Sequence, residues 1–159
     1  MTLFASEVVG GFAGTLVLTT MTRSASELGL TRVDLPFLLG TAVTENRRKA
    51  KAFGYCLHFA LGVAFALAYG AFFDTIGWSS WWLGALIGAV QALFTGTVLV
   101  NVLLPIVHPR MGTPDTAANE VTLLEPPGFL MLNYGRNAFL VSLTGHILYG
   151  AIVGWVIRL

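Results

Sequence analysis

The sequence predicts an all-α integral membrane protein, a bundle of four transmembrane helices, and three observations predict it. Of the 159 residues, 55% are hydrophobic and only 11% are charged, with a mean hydropathy of +0.75. An ordinary soluble domain carries about 25% charged residues. Four apolar stretches, residues 4–22, 52–73, 81–104 and 138–157, have the length a helix needs to cross the hydrocarbon core, about 20 residues. The cations are also segregated between the two ends of these stretches, as in polytopic membrane proteins. Cys56 is the single cysteine, so no intrachain disulfide or thiolate cluster can form. A net charge of +1 gives no reason to expect nucleic acid. The expected partners are the lipid bilayer and either another copy of the chain or another membrane subunit.

Taken in order, the first stretch contains Glu7 as its only charge, near its start, where a carboxylate can sit at the interface. A cleavable signal needs a positive start, and the first cation here is Arg23, so a retained helix is expected. Residues 23–51 then carry Arg23, Arg32, Arg47, Arg48, Lys49 and Lys51. The second, third and fourth stretches contain no charge at all. A short turn without cations joins the second to the third, and residues 105–137 hold Arg110 and Arg136. Every Lys and Arg except Arg158 therefore falls on one side. The positive-inside rule places the segments 23–51 and 105–137 in the cytoplasm and both termini outside, in a cell inner (plasma) membrane. Trp78, Trp81, Trp82 and Trp155 then form a belt at the outer interface.

Each long segment encloses an apolar run too short to span, within 35–43 and 126–135. An acidic residue and a proline introduce each run, Asp34 with Pro36 and Glu125 with Pro126. They read as interfacial helices or re-entrant caps. The basic cluster from Arg47 to Lys51 reads as a stop-transfer signal, with contact to anionic headgroups as the alternative. His108, followed by Pro109 just past the third stretch, reads as an interfacial cap, with metal ligation as the sharper alternative.

The whole chain, 1–159, reads as one membrane domain with an internal repeat, 1–73 against 81–159. Ala13-Gly14-Thr15-Leu16-Val17-Leu18 parallels Thr95-Gly96-Thr97-Val98-Leu99-Val100. The two short apolar runs correspond, and His58-Phe59-Ala60-Leu61-Gly62 parallels His146-Ile147-Leu148-Tyr149-Gly150. Both copies run in the same direction, which makes them parallel two-helix repeats related by an axis along the membrane normal. Small residues recur four apart in every span: Gly10 and Gly14; Gly62, Ala66 and Gly70; Gly84 and Gly88; Gly150 and Gly154. Such faces let helix backbones approach closely where lipid leaves little other driving force. They predict a compact bundle and also offer a face to another subunit.

The candidate site residues are the polar groups inside these spans. His58 and His146 each lie four residues before a glycine, on the helix-contacting face. Each is roughly 9–12 Å inside its helix at 1.5 Å per residue, and an ionisable group at that depth is a functional candidate. Three readings stay open. Neutral imidazoles could hydrogen-bond Thr, Asn or a backbone carbonyl across the bundle, with Thr19, Thr20, Asn101 and Thr144 as available partners. The pair could ligate a b-type haem. The pair could handle protons beside Asp34 or Glu125. Asp34, Glu125, Gln91 and Asn101 form a possible polar site, with Gln91 expected in an interhelical hydrogen bond.

No nucleophile elbow, zinc-protease helix, phosphate loop or dinucleotide fingerprint is present, so no catalytic residue and no metal is expected. The strings Arg32-Val33-Asp34-Leu35-Pro36-Phe37-Leu38-Leu39-Gly40-Thr41 and Pro126-Pro127-Gly128-Phe129-Leu130-Met131-Leu132-Asn133-Tyr134-Gly135 resemble those of small four-helix bacterial inner-membrane proteins, over most of the chain. That resemblance implies a bacterial setting and carries over no activity and no site. The expected function is therefore non-enzymatic, as a homo-oligomer or an accessory subunit of a membrane complex, with no cofactor. The alternatives are a transmembrane haem b protein ligated by His58 and His146, and a small channel or proton-coupled carrier with its path between the repeats.

Overall fold

The computed structural model describes residues 2–111 and 124–157, and its regular structure is helical. Helix α1 (Leu3–Glu27) begins where the Thr2 hydroxyl accepts from the Ala5 N–H. Helix α2 (Leu35–Val43) is capped by Asp34, whose carboxylate accepts from the Phe37 N–H at 3.0 Å, with Pro36 in its first turn. The run 35–43 is thus a short helix of its own. Helix α3 (Arg47–Ile76) is capped by Asn46 through the Lys49 N–H at 3.1 Å. It ends on Gly77 at φ 67°, a left-handed residue that glycine adopts without a Cβ penalty. Helix α4 (Trp81–Val107) is capped by Ser80, and α5 (Ala138–Val156) closes the chain after a 3-10 turn over Phe129–Tyr134.

Four helices, α1, α3, α4 and α5, are long and apolar enough to cross a membrane. They agree with the four apolar stretches but run past them at the ends. Helix α3 starts at Arg47 and α1 continues to Glu27, because polar residues extend a helix as readily as apolar ones once it is nucleated. Helix α4 likewise passes through Pro105 and stops at Val107. Proline removes a backbone donor, and its ring crowds the carbonyl one turn back. Helix α4 accommodates this by winding Thr95–Leu103 as a π-helix, where the Asn101 side chain donates to the Gly96 and Thr97 carbonyls at 2.7 and 3.2 Å.

The spans lie side by side in the order α3, α1, α5, α4. Glycine sets the contacts. A Cβ on Gly84 would strike the Gly150 carbonyl, and one on Gly88 the His146 carbonyl; Gly150 and Gly154 face the Gly84 and Ser80 carbonyls in return. Between α1 and α3, Gly11 meets Val63 and Ala66, while Gly62 and Gly70 receive the Thr15 and Glu7 side chains. Gly10 and Gly14 of α1 face Val153 and Tyr149 of α5. Helix α2 lies on α3 through Gly40 against the Ala50 carbonyl and Gly54 against the Pro36 carbonyl. The small-residue faces are therefore covered within the chain. Glu7 is buried against Gly70, not fully out at an interface.

A core of Leu18, Ala66, Tyr69, Phe73, Tyr149, Val153 and Ile157 ties α1, α3 and α5 together. Smaller clusters around Val33, Val100 and Met131, and around Leu38, Leu104 and Met111, join the opposite end of α4 to the connecting segments. Trp78, Trp81, Trp82 and Trp155 are all exposed and share one end of the bundle, opposite α2. The two halves are unequal. Helix α1 packs along α5, whereas the backbones of α3 and α4 scarcely approach each other. The first short apolar run is an α-helix and the second a 3-10 turn.

Because even a methyl group at Gly150 meets the Gly84 carbonyl, Gly150→Ala is expected to cost roughly 1–3 kcal/mol of overpacking. The detergent-solubilised protein should then melt about 2–12 °C lower. Leu86→Ala, at a side chain 57% exposed, should leave the melting temperature unchanged. Equal melting of Gly150→Ala and the parent chain would mean that α4 and α5 do not touch.

Candidate functional site

The gap between α3 and α4 is a cleft that encloses about 60 Å³. All four spans and α2 contribute to its walls, which are mostly apolar. Leu35, Leu38 and Leu39 of α2 close the end away from the tryptophans. The polar lining is Thr15 of α1, His58 of α3, Gln91 and Thr95 of α4, and His146 and Tyr149 of α5. The two histidines singled out in the sequence therefore face one cavity from non-adjacent helices.

His146 is buried, with Nδ1 2.8 Å from the Ser142 carbonyl one turn back and 3.3 Å from its hydroxyl. That geometry assigns the proton to Nδ1 and leaves the Nε2 lone pair free to accept. His58 is half-buried, edge-on to Phe59 at 6.4 Å, and makes no hydrogen bond to another described residue. Thr19, Thr20, Thr144 and Asn101 do not serve the imidazoles. Their side chains donate to carbonyls of their own helices, at 2.6, 2.8 and 2.9 Å for the three threonines. A hydroxyl on a helix reaches the carbonyl four residues back at little entropic cost, so it seldom waits for a distant partner.

Gln91 meets its expectation of an interhelical bond: its Oε1 accepts from the Tyr69 hydroxyl at 2.6 Å, joining α4 to α3. Tyr149 likewise donates to the Gly62 carbonyl, joining α5 to α3, and stacks edge-on against Tyr69 at 5.9 Å. The sequence reading did not single out these tyrosines. The signal was there, because a phenol deep in a span, away from the interface, must find a partner for its O–H.

Asp34 and Glu125 are not part of this cleft. Asp34 caps α2 with Arg23 3.8 Å away, and Glu125 pairs with Arg32 at 3.3 Å on the exposed side. Together with Tyr134 they border a separate hollow of about 220 Å³. There the first and second connecting segments lock together: the Arg32 N–H donates to the Tyr134 carbonyl at 2.7 Å, and the Tyr134 hydroxyl donates to the Glu125 carbonyl at 2.7 Å. Burial, with a smaller push from Glu125, raises the Tyr134 phenol to about 12. Just before it, Leu130 and Met131 take φ of 52° and 58°. Such residues cost about 1–2 kcal/mol each, and the fully buried Met131, packed with Val33, Val100 and Ala138, holds them in place.

His108 is indeed a cap, but of the neighbouring helix. Its Nδ1 accepts from the Arg110 N–H at 3.2 Å, so Nε2 carries the proton, 3.1 Å from the Leu38 carbonyl and 3.2 Å from the Thr41 hydroxyl. Arg110 adds a bond to the Thr41 carbonyl at 2.7 Å and a pair with Glu45 at 3.3 Å. Helix α2 is thus latched to the end of α4 across the mouth of the cleft. No group of three His, Cys, Asp or Glu suited to a metal occurs among the described residues, and His108 stands apart from His58 and His146. Cys56 is exposed on α3.

Comparison with family models, with curated proteins and with solved structures found no match for this chain.

Removing the latch should free α2 without disturbing the spans. His108→Ala deletes a buried donor and acceptor, a loss of about 1–3 kcal/mol. Hydrogen exchange at residues 38–44 is expected to accelerate at least several-fold while amides in α1 and α5 stay protected. Unchanged exchange in α2 would assign its position to the glycine contacts with α3 alone.

Proposed function

We propose that this chain is a small polytopic membrane protein without chemistry of its own, whose working part is the cleft between α3 and α4. It holds a small lipophilic molecule inside the bilayer, as a homo-oligomer or as an accessory subunit of a larger membrane complex. The observation that carries this reading is the convergence of His58, His146 and Gln91 on one apolar cavity. A cleft with mostly apolar walls and a few convergent polar groups is the usual form of a small-molecule site. The cation distribution supports an inner-membrane orientation with α2 and both long segments cytoplasmic and both termini outside. The matching sequence strings support an origin of the two halves by duplication, followed by divergence of their packing.

Haem b is the second reading, and one feature favours it. An imidazole whose Nδ1–H is tied to a carbonyl presents Nε2 for ligation, as His146 does. Against it stands the enclosed volume of about 60 Å³, which amounts to a few water-sized units at about 10–15 Å³ each and is far short of a porphyrin. The carrier reading is weaker, because Asp34 and Glu125 lie outside the cleft and the threonines of α1 are bonded to their own helix.

Two measurements test the proposal. Organic extracts of the protein, purified in mild detergent, should contain a lipophilic species that is absent from extracts of Leu99→Trp, a substitution that fills the cleft. Identical extracts would remove the reading. An absorption spectrum, as isolated and after dithionite, should show the 280 nm band alone even when haem is supplied during expression. A reducible Soret band that is lost in His58→Ala would put haem in its place.

A further inference from the structure

We propose that the cleft receives the ring head of a prenylated quinone or quinol, its oxygens between the Gln91 carboxamide and the His146 and His58 imidazoles, its tail leaving between α3 and α4. This deepens the preceding reading and rests on it.

The cleft is apolar in its walls yet lined by polar residues deep within the spans, among them His58, Gln91, Thr95 and His146. Gln91 spends its Oε1 on Tyr69, and its N–H groups have no hydrogen-bond partner among the described residues. A phospholipid brings only hydrocarbon to that depth, since its polar groups stay at the interface. Such a tail would leave the imidazoles and the carboxamide unmatched, at a cost of about 1–3 kcal/mol for each unpaired buried group. The occupant must therefore carry hydrogen-bonding atoms into the membrane interior.

It must also be uncharged. No Asp, Glu, Lys or Arg lines the cleft, so an anionic head such as a prenyl phosphate or a fatty acid would be buried without a counter-charge. The available groups are complementary to the two redox forms of one molecule. A quinone carbonyl accepts from the Gln91 N–H, and a quinol hydroxyl donates to the free lone pair on His146 Nε2. The proposal concerns binding alone and requires no electron transfer by the chain.

The route is lateral. Helix α2 closes one end, latched by His108 and Arg110, and the Tyr69 and Tyr149 bonds cross the other. Helices α3 and α4 do not close over the side between them, so entry is from the lipid, where prenylated quinones diffuse. The enclosed volume of about 60 Å³ is smaller than a substituted quinone ring, so the proposal requires the lining leucines Leu61 and Leu99 to change rotamer on binding.

The test uses the full chain in nanodiscs and a radiolabelled decyl-benzoquinone as probe, with empty nanodiscs to measure partitioning. Saturable uptake of about one probe per chain is expected, weakened at least tenfold by His146→Leu and by Gln91→Leu and unchanged by Leu86→Ala. Circular dichroism and gel filtration establish that each variant is folded. In the unsubstituted chain, the probe should also shift the imidazole nitrogen resonances of His58 and His146, which tests the site without any substitution. Uptake equal to that of empty nanodiscs, or uptake indifferent to His146 and Gln91, overturns the proposal. If extracts still differ between the parent chain and Leu99→Trp while the quinone fails to bind, the lipophilic site stands and only its assigned occupant falls. If extracts are identical, the site itself falls.

Discussion

The structure depends on how close two helix backbones can come. In a bilayer, burying one apolar side chain against another gains little, since lipid tails are as apolar as leucine. Association then rests on dispersion between surfaces that approach to contact, and glycine permits the nearest approach. Gly84 and Gly88 of α4 lie on the α5 backbone, and Gly150 and Gly154 return the contact. Gly62 and Gly70 of α3 are turned to α1. Helix α1 has two such faces, Gly11 toward α3 and Gly10 with Gly14 toward α5, whereas α3 and α4 each turn theirs to one neighbouring span. Once α3 has committed its glycines to α1 and α4 its own to α5, neither has a small face left for the other. The cleft follows from that allocation, and the long side chains of Tyr69 and Gln91 span a distance the backbones cannot close.

Polar satisfaction then decides which groups are left to act. In a medium without water, each donor must find an acceptor inside the protein. The threonines of α1 do so locally, Thr15 on the Gly11 carbonyl and Thr19 on the Thr15 carbonyl. The tyrosines do so between helices. What remains facing the cleft is a short set: one lone pair on His146, the His58 ring and the Gln91 amide. The Thr95 hydroxyl also lines the cleft, while Thr15 and Tyr149 are bonded to backbone carbonyls.

Much of this was legible in the residues, and the remainder failed for identifiable reasons. The four spans follow from uninterrupted apolar length, and the contact faces from glycines four apart. The caps Asp34, Asn46 and Ser80 are of the types that start helices. That His58 and His146 share a cavity was consistent with matched depth, but depth alone does not fix which way a helix turns. Of the histidine partners expected, Thr19, Thr144 and Asn101 are satisfied within their own helices, and His146 instead bonds a backbone carbonyl, that of Ser142 one turn back. The latch at His108 joins residues 67 and 70 positions apart, and no local pattern announces such a pairing. The π-helical stretch had a visible cause in Pro105, but proline is equally compatible with a stop, a kink or a widened turn.

The inequality of the halves bears on the site itself. In a symmetric pair of two-helix units, the contact of α1 with α5 would be repeated by α4 with α3, and both grooves would close. Here only the first exists, supported by Gly10 and Gly14 against Val153 and Tyr149. The positions that would have to close the second groove are occupied by Leu61, Phe65, Gln91 and Leu99, which line the cleft instead. Side chains of that size on both facing helices hold the backbones apart and coat the space between them with hydrocarbon. On the reading of a duplicated ancestor, a binding cavity needs no added element: replacing small residues by large ones along one of two equivalent seams opens it. On that reading the two histidines, one from each half, both line the opened cleft.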